Sequence, residues 1–172
     1  MHIQCTKALL DYIKPEMTDI DTDGDIYAWH AHLVKRNRKN CFVLMHDLSR
    51  FVLVFYPVKK SDFKELYPLV SIAMIHVMLG VGFTPEEVEA YIKSQPPAIT
   101  FNKTKNRTLV ARLNKAVESV DVVMNTDGYY DDHIEQTHAS IFCNEYLVCE
   151  DNYKTCYEPK DKLKEIIDLL IK

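Results

Sequence analysis

Apolar residues recur with two different periods along this chain, and the changes of period mark out its elements. Three runs, 26–34, 41–46 and 51–58, are rich in β-branched and aromatic residues. They are separated by the turn-like clusters Lys35-Arg-Asn-Arg-Lys-Asn40 and Asp47-Leu-Ser-Arg50. Such residues suit a pleated, half-buried surface, so these runs predict an antiparallel meander. Ahead of it, His2-Ile-Gln-Cys-Thr6 predicts a short strand, and Thr6 is placed to cap a helix over 7–14 that Pro15 ends. An acidic loop, Thr18-Asp-Ile-Asp-Thr-Asp-Gly-Asp25, joins that helix to the meander.

Beyond the meander the period lengthens. Residues 62–79 predict a helix whose run from Leu66 to Leu79 is apolar nearly all round. Pro68, Ser71 and His76 interrupt that run, which is too short to span a bilayer, so it predicts a central buried helix packed on the sheet. Thr84-Pro-Glu-Glu87 supplies an N-cap threonine, a proline at the first helical position and a glutamate at the third, and predicts a helix to about Ser94. Pro96-Pro97 breaks the chain, 98–102 predict a strand, and a basic loop leads into a helix over 106–120. Residues 127–132 read as a loop, 134–149 are ambiguous between helix and strand, and 159–171 form an amphipathic helix. Strands and helices come in blocks without strict alternation. The fold class expected is α+β: a mostly antiparallel sheet packed against helices, with a C-terminal helix, in one domain over 1–172.

Composition adds limits. The chain has 172 residues, long enough for one substantial core. Residues 1–115 carry 16 Lys and Arg against 12 Asp and Glu, a net of +4, while 116–172 carry 5 against 13, a net of −8. An acidic balance disfavours bulk, non-specific binding to nucleic acid, yet leaves room for a local basic surface. The first residues have no apolar leader region, which predicts a cytoplasmic location and no membrane association. The odd set Cys5, Cys41, Cys143, Cys149 and Cys156, with no C-x-x-C pair, predicts free thiols. With His133 and His138 these cysteines match no common zinc spacing.

The richest chemistry lies in Phe101-Asn-Lys-Thr-Lys-Asn-Arg-Thr-Leu-Val-Ala-Arg-Leu-Asn-Lys115. A strand, a basic loop and a helix start aim cations and backbone N–H groups at one spot. On a helical wheel Leu109, Val110, Leu113, Ala116, Val117 and Val120 share one face, while Arg107, Thr108, Arg112, Asn114 and Lys115 share the other. Lys103, Thr104 and Lys105 lie just before it. The expected function is therefore a non-enzymatic binding module for a phosphate-bearing ligand or nucleic acid. Its anion site is Lys103, Thr104, Lys105, Arg107, Thr108, Arg112 and Asn114, and no cofactor is implied. The plain alternative is a solvated face, with Arg107 or Arg112 paired to carboxylates elsewhere.

Two further patterns suggest metals. Asp19, Asp21 and Asp23, with Gly24, match the start of a calcium loop, but the twelfth position holds His30 where a bidentate Glu belongs. His30 and His32 share a strand face, and a turn centred near Arg38 would bring His46 opposite His30. Three imidazoles there would suit a transition metal and a small metal-dependent enzyme. A third class, a protein-interaction factor of a toxin, phage or defence system, would use the acidic C-terminal region on a protein partner.

Three separated pieces, Ile3-x-Cys-Thr-Lys-x-Leu-Leu10, Trp29-His-Ala-x-Leu33 and Phe101-x-Lys-Thr-x-x-Arg-x-Leu-Val-Ala-Arg-Leu-Asn114, agree in order and spacing with one family. Over roughly 1–125 the chain resembles an uncharacterised family of small prokaryotic proteins, a domain of unknown function, with 126–172 as a variable extension. The resemblance implies no activity. It implies that Trp29, His30, Lys103, Thr104, Arg107 and Asn114 belong together, and suggests that Trp29, His30 and His32 line a cleft with the start of the 106–120 helix.

Overall fold

The computed structural model describes residues 1–126, 131, 133–150 and 153–171. The loop expected over 127–132 lies, apart from Asp131, outside the described residues. The strands are β1 (His2–Cys5), β2 (Ala28–Arg36), β3 (Lys39–His46), β4 (Val52–Val58), β5 (Thr100–Lys103), β6 (Val148–Glu150) and β7 (Thr155–Tyr157). The helices are α1 (Lys7–Ile13), α2 (Leu66–Gly80), α3 (Pro85–Ser94), α4 (Arg107–Thr126), α5 (Thr137–Glu145) and α6 (Pro159–Ile171). A 3-10 segment, Lys60–Glu65, leads into α2. The class is α+β, with the C-terminal helix in place.

Five strands form one mixed sheet in the order β4-β3-β2-β1-β5. The meander β2-β3-β4 is antiparallel, and β1 pairs in parallel with both β2 and β5. A separate antiparallel pair, β6-β7, follows α5. Parallel pairing of β1 with its neighbours needs crossovers. One is α1 with the acidic loop, which returns the chain to β2 beside β1. The long excursion through β3, β4, α2 and α3 supplies the other, ending at β5 on the far side of β1.

The register decides what each face carries. Asn102, Gln4 and His30 are paired side by side across β5, β1 and β2, and Met45 continues the row on β3. That face packs on α4 and α5, where Val43, Met45, Val54 and Tyr56 meet Leu113, Val120, Met124 and Cys143. On the opposite face Ile3, Trp29, Phe42, Leu44 and Phe55 pack against α2, α3 and α6 through residues such as Met74, Met78, Tyr91, Leu163 and Ile167. Each such side chain contributes about 1.5–3 kcal/mol by leaving water.

Both sheet edges are covered. On β4 the Asn144 amide of α5 exchanges two hydrogen bonds with the Val52 backbone, at 2.7 and 2.8 Å. Ser140 Oγ accepts from Val54 N–H at 3.0 Å. Polar side chains mid-helix thus complete a strand whose outer backbone groups would otherwise be unpaired. On β5 the Thr18 N–H donates to Phe101 O at 2.9 Å.

Several local expectations hold with modifications. The Thr84–Glu87 capping box forms as read. Thr6 precedes α1 but its hydroxyl does not cap the helix; it shares a 2.8 Å hydrogen bond with His32 Nδ1. As expected, α2 packs on the sheet through a buried side, but its other side is open, with Ile72 and Leu79 44% and 43% exposed. The 3-10 segment and α2 make a helical run over Lys60–Gly80, longer than the sequence suggested. By length and composition alone that run suffices for a bilayer, and in this fold its inner side packs on the sheet. The ambiguous stretch resolves into α5 and β6. Cys149 and Cys156, expected as free thiols, form a disulfide across β6-β7, while Cys5, Cys41 and Cys143 are buried and free.

Candidate functional site

The polar row Asn102-Gln4-His30 runs along an otherwise apolar sheet face, and it holds the acidic loop in place. Asn102 accepts from Thr18 Oγ1 at 2.5 Å and donates to Ile20 O at 2.7 Å. The Gln4 amide nitrogen donates to Thr22 Oγ1 at 2.8 Å and to Asp47 Oδ2 at 3.0 Å. Asp47 Oδ1 is 2.7 Å from His30 Nδ1. Buried amides and carboxylates require such partners, because an unmet polar group inside costs about 1–3 kcal/mol. The acidic loop thus closes over the ends of β1 and β5 and forms one wall of a cleft of about 990 Å³.

Four parts of the chain make up the rest of the cleft. The basic loop and the first turns of α4 bring Lys103, Lys105, Asn106, Thr108 and Arg112. Asp47 and Leu48 come from the β3-β4 turn. The β6-β7 pair brings Glu150, Thr155 and Tyr157, with Lys162 of α6 beside them. These three pair residues lie at alternate strand positions, so they share a face, and the Cys149–Cys156 disulfide lies on the other.

Electrostatically the cleft is mixed and divided. Lys105 Nζ is 2.8 Å from Asp19 Oδ1, and this hydrogen bond holds the Asp19 carboxyl below, and the Lys105 ammonium above, their usual ranges. Both groups are exposed, so the pair adds little stability. Among the described residues Lys103 has no ion-pair partner. At the other end Arg112 Nη2 is 2.8 Å from Glu150 Oε1, which also accepts from the Tyr157 hydroxyl at 2.9 Å. Burial, reinforced by the Glu150 carboxylate, pushes the Tyr157 phenol up to about 12. Arg50 lies behind this group; its Nη1 donates to Cys149 O at 3.4 Å.

Of the anion-site residues read from the sequence, Lys103, Lys105, Thr108 and Arg112 line the cleft. Thr104, Arg107 and Asn114 do not. Thr104 is half-buried beside β1, with its N–H donating to Cys5 O at 3.3 Å, and Arg107 and Asn114 are exposed on α4. The helix start is also less open than expected. Asn106 Oδ1 accepts from the N–H groups of Thr108 and Leu109 at 2.9 and 3.2 Å, so two N–H groups of the first turn are already satisfied.

The shared cleft with Trp29, His30 and His32 does not form as pictured. Trp29 is fully buried in the opposite core, and neither His30 nor His32 lines the cleft. His30 reaches it indirectly, through Asp47. The three-imidazole arrangement fails on register. Asn37 and Arg38 both have positive φ, 46° and 64°, forming a two-residue turn that pairs Arg36 with Lys39. His46 therefore pairs with Trp29 and His30 with Met45. His46 lies on the face away from His30, its ring edge-on to Trp29 with centroids 5.0 Å apart.

Nor do the carboxylates of the acidic loop converge on one centre. Asp21 Oδ1 accepts from Asp23 N–H at 3.1 Å, Asp19 faces Lys105, and Asp25 Oδ1 accepts from Tyr27 N–H at 2.8 Å. Among the described residues no three His, Cys, Asp or Glu groups are placed to hold a metal ion.

Asp47, which the sequence suggests only as a supporting partner or ligand at the histidines, pairs with His30; sequence reading missed Gln4, Asn102, Arg50, Glu150 and Tyr157. A signal existed for the first: Gln4 is the one amide inside an apolar first strand. Glu150 and Tyr157 gave none, because their place depends on how β6-β7 docks.

No curated protein and no solved structure matches the chain. A family match runs well past the 1–125 over which a resemblance was expected, and includes α5, β6-β7 and the first residues of α6. The chain belongs to the family described as Domain of unknown function (DUF6933), whose model matches residues 2–162.

Proposed function

We propose that this protein binds a small phosphate-bearing ligand in the cleft between the acidic loop, the start of α4 and the β6-β7 pair. One observation carries the reading: Lys103, Lys105, Thr108 and Arg112 converge on a single cleft of about 990 Å³. That is ample for a nucleotide-sized ligand. Arg112 supplies a planar fork suited to phosphate, and Lys103 supplies a charge with no ion-pair partner among the described residues. The fixed amides of Gln4 and Asn102 set the shape of the floor.

A small ligand fits better than a nucleic-acid strand. Asp19, Asp21 and Asp23 border the same cleft, and a polyanion tracking across them would meet like charge. The acidic loop suits the hydroxyl or amine end of a ligand whose other end is anionic. A cytoplasmic location belongs to this proposal; the three buried free thiols fit it, while the Cys149–Cys156 disulfide speaks for an oxidising compartment.

Calorimetric titration with inorganic phosphate, nucleoside mono- and triphosphates and a short single-stranded RNA, at two salt concentrations, tests this. The expected result is saturable binding of a small phosphate compound, weakened about tenfold or more by Arg112→Glu. RNA binding tighter than every small compound, with a steep salt slope, would overturn the choice of ligand. No binding by any of them would overturn the function.

A further inference from the structure

At the hairpin end of the cleft one carboxylate is paired with Arg112 and lies within the electrostatic reach of a second, buried arginine behind it. Arg112 meets Glu150 at 2.8 Å. Arg50, at the β3-β4 turn, is only 7% exposed, and the electrostatic influences of Arg112 and Glu150 both reach it. Its Nη1 makes a long bond of 3.4 Å to Cys149 O, the Tyr157 phenol lies within its electrostatic reach, and its Nε is buried with no hydrogen-bond partner among the described residues. An unpartnered guanidinium N–H is unusual inside a protein, since a buried charge needs pairing and hydrogen bonds. With the Tyr157 phenol neutral, the cluster of Arg50, Arg112 and Glu150 carries a net charge of +1. Lys162, another cation lining the cleft, is engaged by Glu165 at 2.6 Å, and Asp47 is engaged by His30 and Gln4.

We infer that Arg50 and Arg112, with the Tyr157 hydroxyl, form a receptor for a phosphate monoester dianion, and that Glu150 occupies it as a tethered competitor. The charge arithmetic favours this exchange. Glu150 leaves the two guanidiniums one charge short, whereas a dianion in its place neutralises both and brings additional acceptor oxygens for the free Arg50 N–H. Glu150 can leave because it stands on a strand of three residues held mainly by its partner β7 and by the neighbouring disulfide. The inference rests on the ligand-binding reading and sharpens it: the ligand's phosphate goes to the hairpin end, and Glu150 sets its affinity.

The test is calorimetry on wild type, Glu150→Gln, Glu158→Gln and Glu150→Gln with Arg112→Gln, using inorganic phosphate and a nucleoside monophosphate as probes. Glu150→Gln keeps the side-chain shape, and the expected result is affinity raised about tenfold or more for both probes. Glu158→Gln removes a nearby charge outside the cluster and leaves affinity unchanged. Adding Arg112→Gln to Glu150→Gln abolishes the gain; Arg112 is partly exposed, so this change does not threaten the fold as one at buried Arg50 would. A gain for the nucleotide alone would mean that Glu150 opposes another part of the ligand, and would overturn the assignment of the phosphate to this end. Equal gains from Glu150→Gln and Glu158→Gln would reduce the effect to net charge and overturn it as well. If wild type binds and Glu150→Gln changes nothing, the competitor role fails while the ligand-binding function stands. If no variant binds either probe, both fail.

Discussion

His30 Nδ1 lies 2.7 Å from Asp47 Oδ1, which couples an imidazole with no solvent exposure to a carboxylate on the floor of the cleft. Asp47 in turn accepts from Gln4. Asp47→Ala strips both donors of their acceptor, and the expected loss is about 1–3 kcal/mol in urea denaturation. Ligand affinity should fall with it, because Gln4 also positions the acidic loop through Thr22. Unchanged stability would show that the network does not hold the floor.

Acid should destabilise the fold through buried histidines. His46 Nε2 is 3.0 Å from Ile26 O, and Nδ1 accepts from the Ser49 N–H at 3.2 Å, so the ring is neutral and its acceptor is in use. Burial, the largest influence, lowers the proton affinity of His46, and does the same for His32. A histidine with a depressed folded pKa binds its proton more tightly when unfolded. Stability is then full above the unfolded value of about 6.5 and falls as pH drops through and below it. Between pH 7 and pH 5 the loss is up to about 2 kcal/mol per such histidine. Denaturation midpoints across that range check the sign, and a midpoint that rises on acidification would contradict it.

Leu113 anchors α4, and with it Arg112, to the sheet face formed by β2, β3 and β4. Leu113→Ala is expected to cost about 2–5 kcal/mol, since the side chain is fully buried in a core built with α5 and strands β3 and β4. Thermal unfolding measures it. A cost well under 1 kcal/mol would mean that this core does not position the site.

Breaking the Cys149–Cys156 bond should have a small effect on global stability and a larger local one. The bridge spans a sequence separation of 7, and closing so short a loop contributes at most about 2–3 kcal/mol. Cys149→Ser with Cys156→Ser should therefore leave cooperative unfolding intact. It should speed amide hydrogen exchange in β6 and β7 relative to β2 and β3. Equal exchange in both variants would show that the bridge does not hold the pair.

The parts legible in the sequence are those fixed over short distances. Thr84-Pro-Glu-Glu87 states its own capping chemistry, and the α4 wheel separates Leu113 and Val120 from Arg112 because helical period alone decides it. The His46 expectation failed by one residue. A turn centred between Asn37 and Arg38, instead of on Arg38, moves every partner by one and sends the imidazole to the other face. The acidic loop resembled a metal site because its ligand spacing is local, while its actual partners, Asn102 and Lys105, are more than 80 positions away. Arg50, Glu150 and Tyr157 meet only through the docking of a three-residue strand pair, which no period or spacing announces.

The central claim, that the cleft receives a phosphate-bearing ligand, is tested most directly by titrating isotope-labelled protein with a nucleoside monophosphate and mapping amide shifts. The account predicts saturable shifts confined to Gln4, Lys103–Arg112 and the β6-β7 residues Glu150 and Thr155–Tyr157, with the α2 and α3 amides unmoved. Saturable shifts centred elsewhere, or none at millimolar ligand, would contradict it.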